Sequence, residues 1–582
     1  MAAKKKDNFI PSEYQKAIFD FILNGEGNLV VEAVAGSGKS TTLLEALKLI
    51  PSDKSVLFLA FNRSVRDNLA KKTKAYKNVH VYTTYGLGFM VNARNLGLGK
   101  NEMDEDRYMN EFRKNLIRYT VNSKFSMGKK WRFYDRNISD LLNFARLNLA
   151  NTISDIKKVS QHYEMILFDD EINVVKKLMD WSKKNLTSYD YTDMVWYPNV
   201  LNLDLGVLAE HDFVFVDEAQ DLSKAQRELI LKCSNEKTRF VFVGDGRQAI
   251  YGFGAADPES FSELKKISNT HILPLSVCYR CPKTVVNLVK GIVPQIEESE
   301  NAIEGEITRG KKLADVNDGD MILCRNNAPL MQIYNSFLRM GKKSFVIGKE
   351  IGMNLINLVN QHYTEALNPD LNEEGLFSSL YRFYFKKRNE LAKTTGCDLE
   401  ICDEMSELSN LLDKIESLKV LSEGLTTTSQ LLQRLDRVFA DNDSEGIRLS
   451  TVHKAKGLEF NNVFIAKEEL FDPSKKTLTW EKTQEKNLEY VAYTRAMRSL
   501  SFLRNEELTN TYMIPLKDIE ERLNELESPD KRHKKISSKT TISGVTTPGV
   551  NILLSETPAH LFTTDHTLMD VFGKKKKKRK TF

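Results

Sequence analysis

The stretch Leu29-Val30-Val31-Glu32-Ala33-Val34-Ala35-Gly36-Ser37-Gly38-Lys39-Ser40-Thr41 runs from an apolar strand through a glycine loop into a helical pattern that continues to Leu49. Small residues let backbone N–H groups curl around a polyphosphate at the positive end of a helix. Lys39 would reach the outer phosphates and the Ser40 hydroxyl would bind Mg²⁺. Ala35, Gly36, Ser37, Gly38 and Thr41 would complete the cradle. A glycine loop alone can be an ordinary turn, but a second signature supplies what it lacks. Phe213-Val214-Phe215-Val216 reads as a buried strand ending in Asp217-Glu218-Ala219-Gln220-Asp221. Asp217 can hold the metal shell and Glu218 can polarise a water. The pair of segments reads as a site that hydrolyses a nucleoside triphosphate.

Around these segments the texture of the chain alternates. Residues 1–86 carry short apolar strands between helices, at Leu29–Glu32, Val56–Ala60 and Val79–Tyr82, the pattern of a parallel α/β sheet. From 87 to 189 long polar helical stretches hold scattered aromatics. Strand signals return at Phe213–Val216 and Phe240–Val243. A second α/β block starts near Leu273, with strands at Met321–Cys324 and Ser344–Ile347. It resumes, after a helical interval from 353 to 444, at Ile447–Ser450, Val463–Ala466 and Leu500–Leu503. The expected fold is therefore α/β, with two parallel-sheet lobes, each interrupted by a mainly helical insertion. The boundaries are 1–86 with 190–272 for the first lobe and 87–189 for its insertion. The second lobe takes 273–352 with 445–512, its short insertion 353–444, and a linker and basic tail 513–582.

The length of 582 residues suggests roughly three to five compact domains. No apolar run is long enough to span a bilayer. Lys4-Lys5-Lys6 has no apolar core after it, so a secretory signal is not expected and the chain reads as intracellular, in cytoplasm or nucleus. Net charge is +5, but residues 531–582 hold 12 Lys/Arg against 3 Asp/Glu, which leaves the rest of the chain at −4. Nucleic acid would therefore be met by local patches or by stacking. The tail, with its basic run from Lys574 to Lys580, reads as flexible: a DNA tether, a partner-binding peptide or a nuclear address. The six cysteines fit a reducing compartment. Cys278-x-x-Cys281 with Cys397-x₄-Cys402 could make a four-sulfur metal site, though buried thiols are the plainer reading.

Four further segments carry chemistry. Gln15, in Pro11-Ser12-Glu13-Tyr14-Gln15, offers an amide that can pair with an adenine edge. In Gly244-Asp245-Gly246-Arg247-Gln248, the amide of Gln248 can sense a γ-phosphate, and Tyr251 and Phe253 follow on a loop suited to base stacking. Tyr279-Arg280 and Thr494-Arg495 supply cations for the charge that phosphoryl transfer develops.

Taken in order, these segments resemble superfamily 1 helicases of the UvrD/Rep/PcrA group. Ser450-Thr451-Val452-His453-Lys454-Ala455-Lys456-Gly457-Leu458-Glu459-Phe460, Tyr490-Val491-Ala492-Tyr493-Thr494-Arg495-Ala496 and Asp190-Tyr191-Thr192-Asp193-Met194 extend the match to about residues 9–505. The resemblance implies RecA-like lobes that share ATP and Mg²⁺, with catalytic roles for Lys39, Asp217, Glu218, Gln248, Arg280 and Arg495. Gln15 would read adenine, Tyr279 would stack on it, and Glu459 would touch the ribose. Ser40 and Asp217 would hold the metal. Phe61, Thr84, Tyr85, Tyr251, Phe253 and His453 would line the path of single-stranded DNA. The Gln248-to-Phe253 continuation implies 3′→5′ movement. The expected substrates are single-stranded DNA and duplex junctions, the expected state is a monomer, and the resemblance suggests replication and repair without fixing the pathway. Gly254, Tyr85 and the Phe61-Asn62-Arg63 order depart from the group's pattern, and the second insertion is short. Rival readings are a translocase that strips proteins from DNA with weak unwinding, and a non-enzymatic DNA clamp.

Overall fold

The computed structural model describes residues 9–115, 131–163, 165, 169–250, 260–395, 398, 399, 403, 406–439, 446–475, 479–504 and 515–527. Of the expected features, Tyr251, Phe253, Gly254, Cys397, Cys402 and the basic run 574–580 lie outside these residues. Residues up to Leu526 form one packed unit. Among the described residues no helix is long and apolar enough to cross a membrane.

Two six-stranded sheets organise that unit. The first contains β1 (Asn28–Ala33), β2 (Val56–Ala60), β3 (Val79–Thr83), β4 (Phe213–Val216), β5 (Arg239–Gly244) and β6 (Thr270–Leu275), in the order β3-β2-β4-β5-β1-β6. All its pairings are parallel. Every residue of β2 and of β4 is buried, as expected of strands covered on both faces, which is why they read as unbroken apolar runs. Register sets Glu32 beside Gly244 and Val216 beside Phe242. The carboxyl ends of β1, β5 and β4 thus lie side by side, the edge where open α/β sheets bind ligands.

A short parallel pair follows, β7 (Val277–Cys278) with β8 (Glu297–Glu298). The second sheet contains β9 (Glu306–Lys311), β10 (Met321–Cys324), β11 (Ser344–Val346), β12 (Ile447–Thr451), β13 (Phe460–Ile465) and β14 (Ala496–Leu503), in the order β11-β12-β10-β13-β14-β9. It too is parallel throughout. β6 and β9 gave no strand reading of their own. Both are edge strands, Pro274 sits in one, and Glu306-Ile307-Thr308-Arg309-Gly310-Lys311 has no apolar run. Edges tolerate proline and charge because one side of the ladder is unpaired. β6 also carries the first sheet to Leu275, past the expected edge at 272.

The described residues between β3 and β4 are mainly helical. Their polar centre is a buried network in which Arg107 and Arg146 both bind Asp193, at 2.7 and 2.8 Å. Arg146 also binds Asp190 at 2.7 Å, and the Tyr108 hydroxyl donates to Asp193 at 2.6 Å. Asp190 to Asp193 thus fastens the helices that carry Arg107 and Arg146. Between β11 and β12 lie the helices Lys349–Gln361, Leu376–Thr395, Ser406–Leu421 and Thr428–Val438. Leu355, Leu380, Leu418 and Leu435 from these helices share one apolar core with Ile322 and Leu449 of the second sheet.

Because Asp193 is fully buried between two guanidinium groups, Asp193→Ala leaves both cations without that counter-charge. The expected loss is about 3–5 kcal/mol, read as a lowered first transition in thermal and urea melts. Glu13→Ala, at the exposed pair with Lys16, should leave the melt unchanged.

Candidate nucleotide site

β1 delivers the chain to a loop that only glycine can follow. Gly36 has φ +69° and Gly38 has φ +80°, a left-handed backbone that costs an L-residue roughly 1–2 kcal/mol. A Cβ on Gly36 would lie 2.6 Å from Cβ of Arg280 and 3.0 Å from Sγ of Cys278. The loop is therefore pressed against the Cys278–Arg280 segment, and the Tyr279 N–H donates to the Gly36 carbonyl at 2.9 Å. The helix Lys39–Leu49 starts at once, so its first N–H groups face the loop. Ser37 Oγ is buried and makes no hydrogen bond among the described residues. This cradle of N–H donors with an unused hydroxyl fits a polyphosphate.

The metal and water candidates converge on the same point. Ser40 Oγ donates to Asp217 Oδ2 at 2.7 Å, a hydroxyl and a carboxylate of the kind Mg²⁺ takes. Lys39 Nζ lies 3.6 Å from Glu218 Oε1, and Gln220 Nε2 donates to Glu218 Oε2 at 2.6 Å. Glu218 itself has φ +53°, a strained backbone of the sort held at functional sites. Burial alone would raise its carboxyl. Lys39, with Lys456, Gln220 and Arg495, overcomes burial and holds it below the usual range. Asp217 moves the other way, raised by burial and by the charge of Glu218 against the pull of Ser40 and Lys39. The environment thus separates two adjacent carboxyls by role.

The cations come from beyond the first sheet, Arg280 after the short strand β7 and Arg495 just before β14. Arg280 Nε lies 2.6 Å from Glu459 Oε2, and its Nη1 donates to the Thr494 carbonyl at 3.3 Å. The Tyr279 ring is half exposed. Arg495 is buried and donates to the carbonyls of Val491 and Leu458 at 2.9 and 3.1 Å. Burial, with Arg280 beside it, pulls its guanidinium down to about 10, which leaves it cationic at neutral pH. Gln248 is buried and its Nε2 donates to Asp245 Oδ2 at 2.7 Å. Gln15 is buried too. It donates to Thr42 Oγ1 at 2.9 Å and accepts from the Ser12 N–H at 3.0 Å, so part of its amide capacity is used within the chain. Glu459 is bound to Arg280, whereas the resemblance assigns it to a ribose.

Lys456 had no role in the sequence reading. Its Nζ lies 2.8 and 2.6 Å from the two oxygens of Asp221 and 2.6 Å from the Gln248 carbonyl. Its only signal was membership in the Ser450–Phe460 segment, because its partners stand more than two hundred residues away. Burial pushes the Asp221 carboxyl up to about 6, with Lys456 opposing.

The candidate nucleic-acid contacts divide. Phe61 follows β2 and is exposed, and Thr84 and Tyr85 follow β3, so all three stand at the carboxyl edge of the first sheet. Thr84 is buried. Tyr85 stacks on Tyr191 with ring centroids 4.1 Å apart and planes 24° from parallel. Tyr191 is exposed and was missed as a site residue, although the Asp190–Met194 segment had been singled out. His453 is partly buried. Burial, Arg325, Lys456 and Lys454 pull its imidazole down to about 3, so at neutral pH the ring is uncharged. Cys278 and Cys281 are buried thiols, and no metal-binding cluster exists among the described residues.

Known proteins place this geometry in a family. The UvrD/REP helicase N-terminal domain matches residues 14–269 and the UvrD-like helicase C-terminal domain matches residues 446–503. F-box DNA helicase protein 1 of Schizosaccharomyces pombe is 23% identical over 548 residues, covering 86% of this chain and 58% of that protein. ATP-dependent DNA helicase PcrA of Leuconostoc citreum is 22% identical, covering 82% of this chain and 80% of the relative. F-box DNA helicase 1 of Gallus gallus is 24% identical, covering 81% and 46%. The chain thus spans about half the length of the F-box relatives.

Gly36→Ala combines left-handed strain with a collision against Arg280. It should weaken binding of a fluorescent ATP analogue at least tenfold in an anisotropy titration. Gly97→Ala, equally left-handed but with open space around it, should bind normally.

Proposed function

The chain belongs to the UvrD-like helicase family, and on that footing we propose that it is an ATP-driven DNA helicase that steps 3′→5′ along a single strand and opens duplex junctions. The observation that carries the reading is the contact of Tyr279 and Arg280 with Gly36. Arg280 follows the short strand β7 and reaches the Thr494 carbonyl beside Arg495, so a triphosphate bound at the phosphate loop would be met by residues of both lobes.

The roles follow from charge and position. Lys39 and the loop N–H groups bind the phosphates. Ser40 and Asp217 would hold Mg²⁺, which when bound neutralises phosphate charge. Lys39 is the cation that does most to keep Glu218 ionised. As Lys39 turns to a triphosphate its hold relaxes, and the buried carboxylate becomes a better acceptor for a water proton. Gln248 orients toward the γ-phosphate, and Arg280 and Arg495 meet the charge that develops as the bond breaks. Gln15 and Tyr279 take the adenine and Glu459 the ribose, after exchanging present partners. Phe61, Tyr85 and Tyr191, with Thr84, His453, Tyr251 and Phe253, form the single-strand path. Aromatic stacking there grips bases without reading sequence. Tyr251 and Phe253 follow Gln248 directly, so the γ-phosphate and the strand are linked by one short segment.

A second reading has its own support. Among the described residues the helices between β11 and β12 share one core with the sheet, and the interval from 353 to 444 is short, which favours a motor with little separate structure to engage a duplex. A translocase that clears proteins from DNA and unwinds weakly fits that economy.

ATPase with and without oligothymidine, beside unwinding of 3′- and 5′-tailed duplexes, tests both. The expected result is DNA-stimulated turnover with opening of the 3′-tailed duplex alone. Translocation without strand displacement selects the second reading, and no turnover rejects both. Lys39→Ala should abolish hydrolysis while retaining much of the single-strand binding. Glu218→Gln should bind ATP and turn it over about 10²–10⁴-fold more slowly. Arg495→Ala should lower kcat on the order of 10³-fold at saturating ATP, with far less effect on affinity.

A further inference from the structure

We infer that Tyr490 is a positioning residue for hydrolysis, one that makes the placement of Gln248 depend on closure of the two lobes. The inference rests on the ATPase reading above. Tyr490 lies on the helix Thr479–Tyr493 of the second lobe and is fully buried. Its hydroxyl accepts the Ala35 N–H of the phosphate loop at 2.7 Å and donates to Asp245 Oδ2 at 3.2 Å. The same carboxylate oxygen accepts from Gln248 Nε2 at 2.7 Å. From the other side the Asp245 N–H donates to Gln220 Oε1 at 3.1 Å, and Gln220 reaches Glu218. One phenol therefore ties the phosphate loop to the γ-phosphate amide and, through Gln220, to the candidate base.

Tyr490 does not act alone on this turn. Asn487, one helical turn earlier, donates to the Ala249 carbonyl at 2.9 Å, and Lys456 binds the Gln248 carbonyl. The Asp245–Ala249 turn belongs to the first lobe but is held at three points by the second. Tyr490 also touches the phosphate loop. Burial and the neighbouring Asp245 raise its phenol far above the ordinary value, so it stays a donor. Replacement of the hydroxyl by hydrogen would leave the Ala35 N–H unpaired and free Asp245 to swing with Gln248.

Steady-state ATPase with saturating oligothymidine on wild type, Tyr490→Phe, Gln248→Ala and the double variant tests this. Tyr490→Phe should lower kcat about tenfold, with KM for ATP within about threefold. In the Gln248→Ala background it should lower kcat less than twofold, because its effect runs through Gln248. Unchanged kcat in the single variant overturns the inference. So does an undiminished loss in the double variant, which would make the tyrosine a packing residue. If Tyr490→Phe fails to fold, Asp245→Ala removes the shared acceptor from the other end and is held to the same two criteria. A wild type without DNA-stimulated turnover overturns the parent reading instead.

Discussion

Lys456 of the second lobe is buried against Asp221 of the first, and the geometry of the cleft depends on that contact. Such a pair is a poor source of stability, since the water stripped from both ions offsets most of the attraction. Its value is positional. The arrangement that pairs the two ions also puts Lys456 on the Gln248 carbonyl and its charge near Glu218. The proton balance of Asp221 shows the cost. Between its ordinary 3.8 and its buried value of about 6 the folded chain holds a proton that the unfolded chain releases. Its contribution to stability therefore declines as pH rises through that window. At neutral pH the carboxylate is tolerated because Lys456 is there.

The same electrostatics explain how a site with Asp217, Glu218, Asp221 and Asp245 stays folded. All four are pushed up by burial, and Lys39 opposes that push at each of them. Glu218 alone is carried below its usual range, because it faces Lys39, Lys456 and Arg495 together. A cluster held down by so few cations responds strongly when one of them is drawn off by a phosphate.

The central strands were legible because parallel strands buried on both faces leave continuous apolar runs, as in Val56–Ala60 and Phe213–Val216. β6 and β9 were not, since edge positions demand no such run. Lys39, Ser40, Asp217 and Glu218 were legible because a phosphate cradle constrains neighbours in sequence. Lys456 and Tyr490 stood inside quoted segments, but their roles, like that of Asn487, were not legible, because their partners lie 208 to 455 residues away. Tyr191 was visible as part of a motif, but its ring needed Tyr85 beside it to stand out.

The order β3-β2-β4-β5-β1-β6 bears on how the chain is made. β1 takes its place between β5 and β6, and Leu29 waits for Val241, its partner in β5. At about 5–20 residues per second, those 212 intervening steps take roughly 10–40 s. For that time the emerging chain carries an apolar strand with both edges open, while the helices between β3 and β4 emerge within the same window and can pack locally. Arg107 and Arg146 wait in the same way for Asp190 and Asp193. The first lobe is thus a structure that closes late around its own beginning, and the nascent chain is most exposed to wrong pairing just before Arg239 appears.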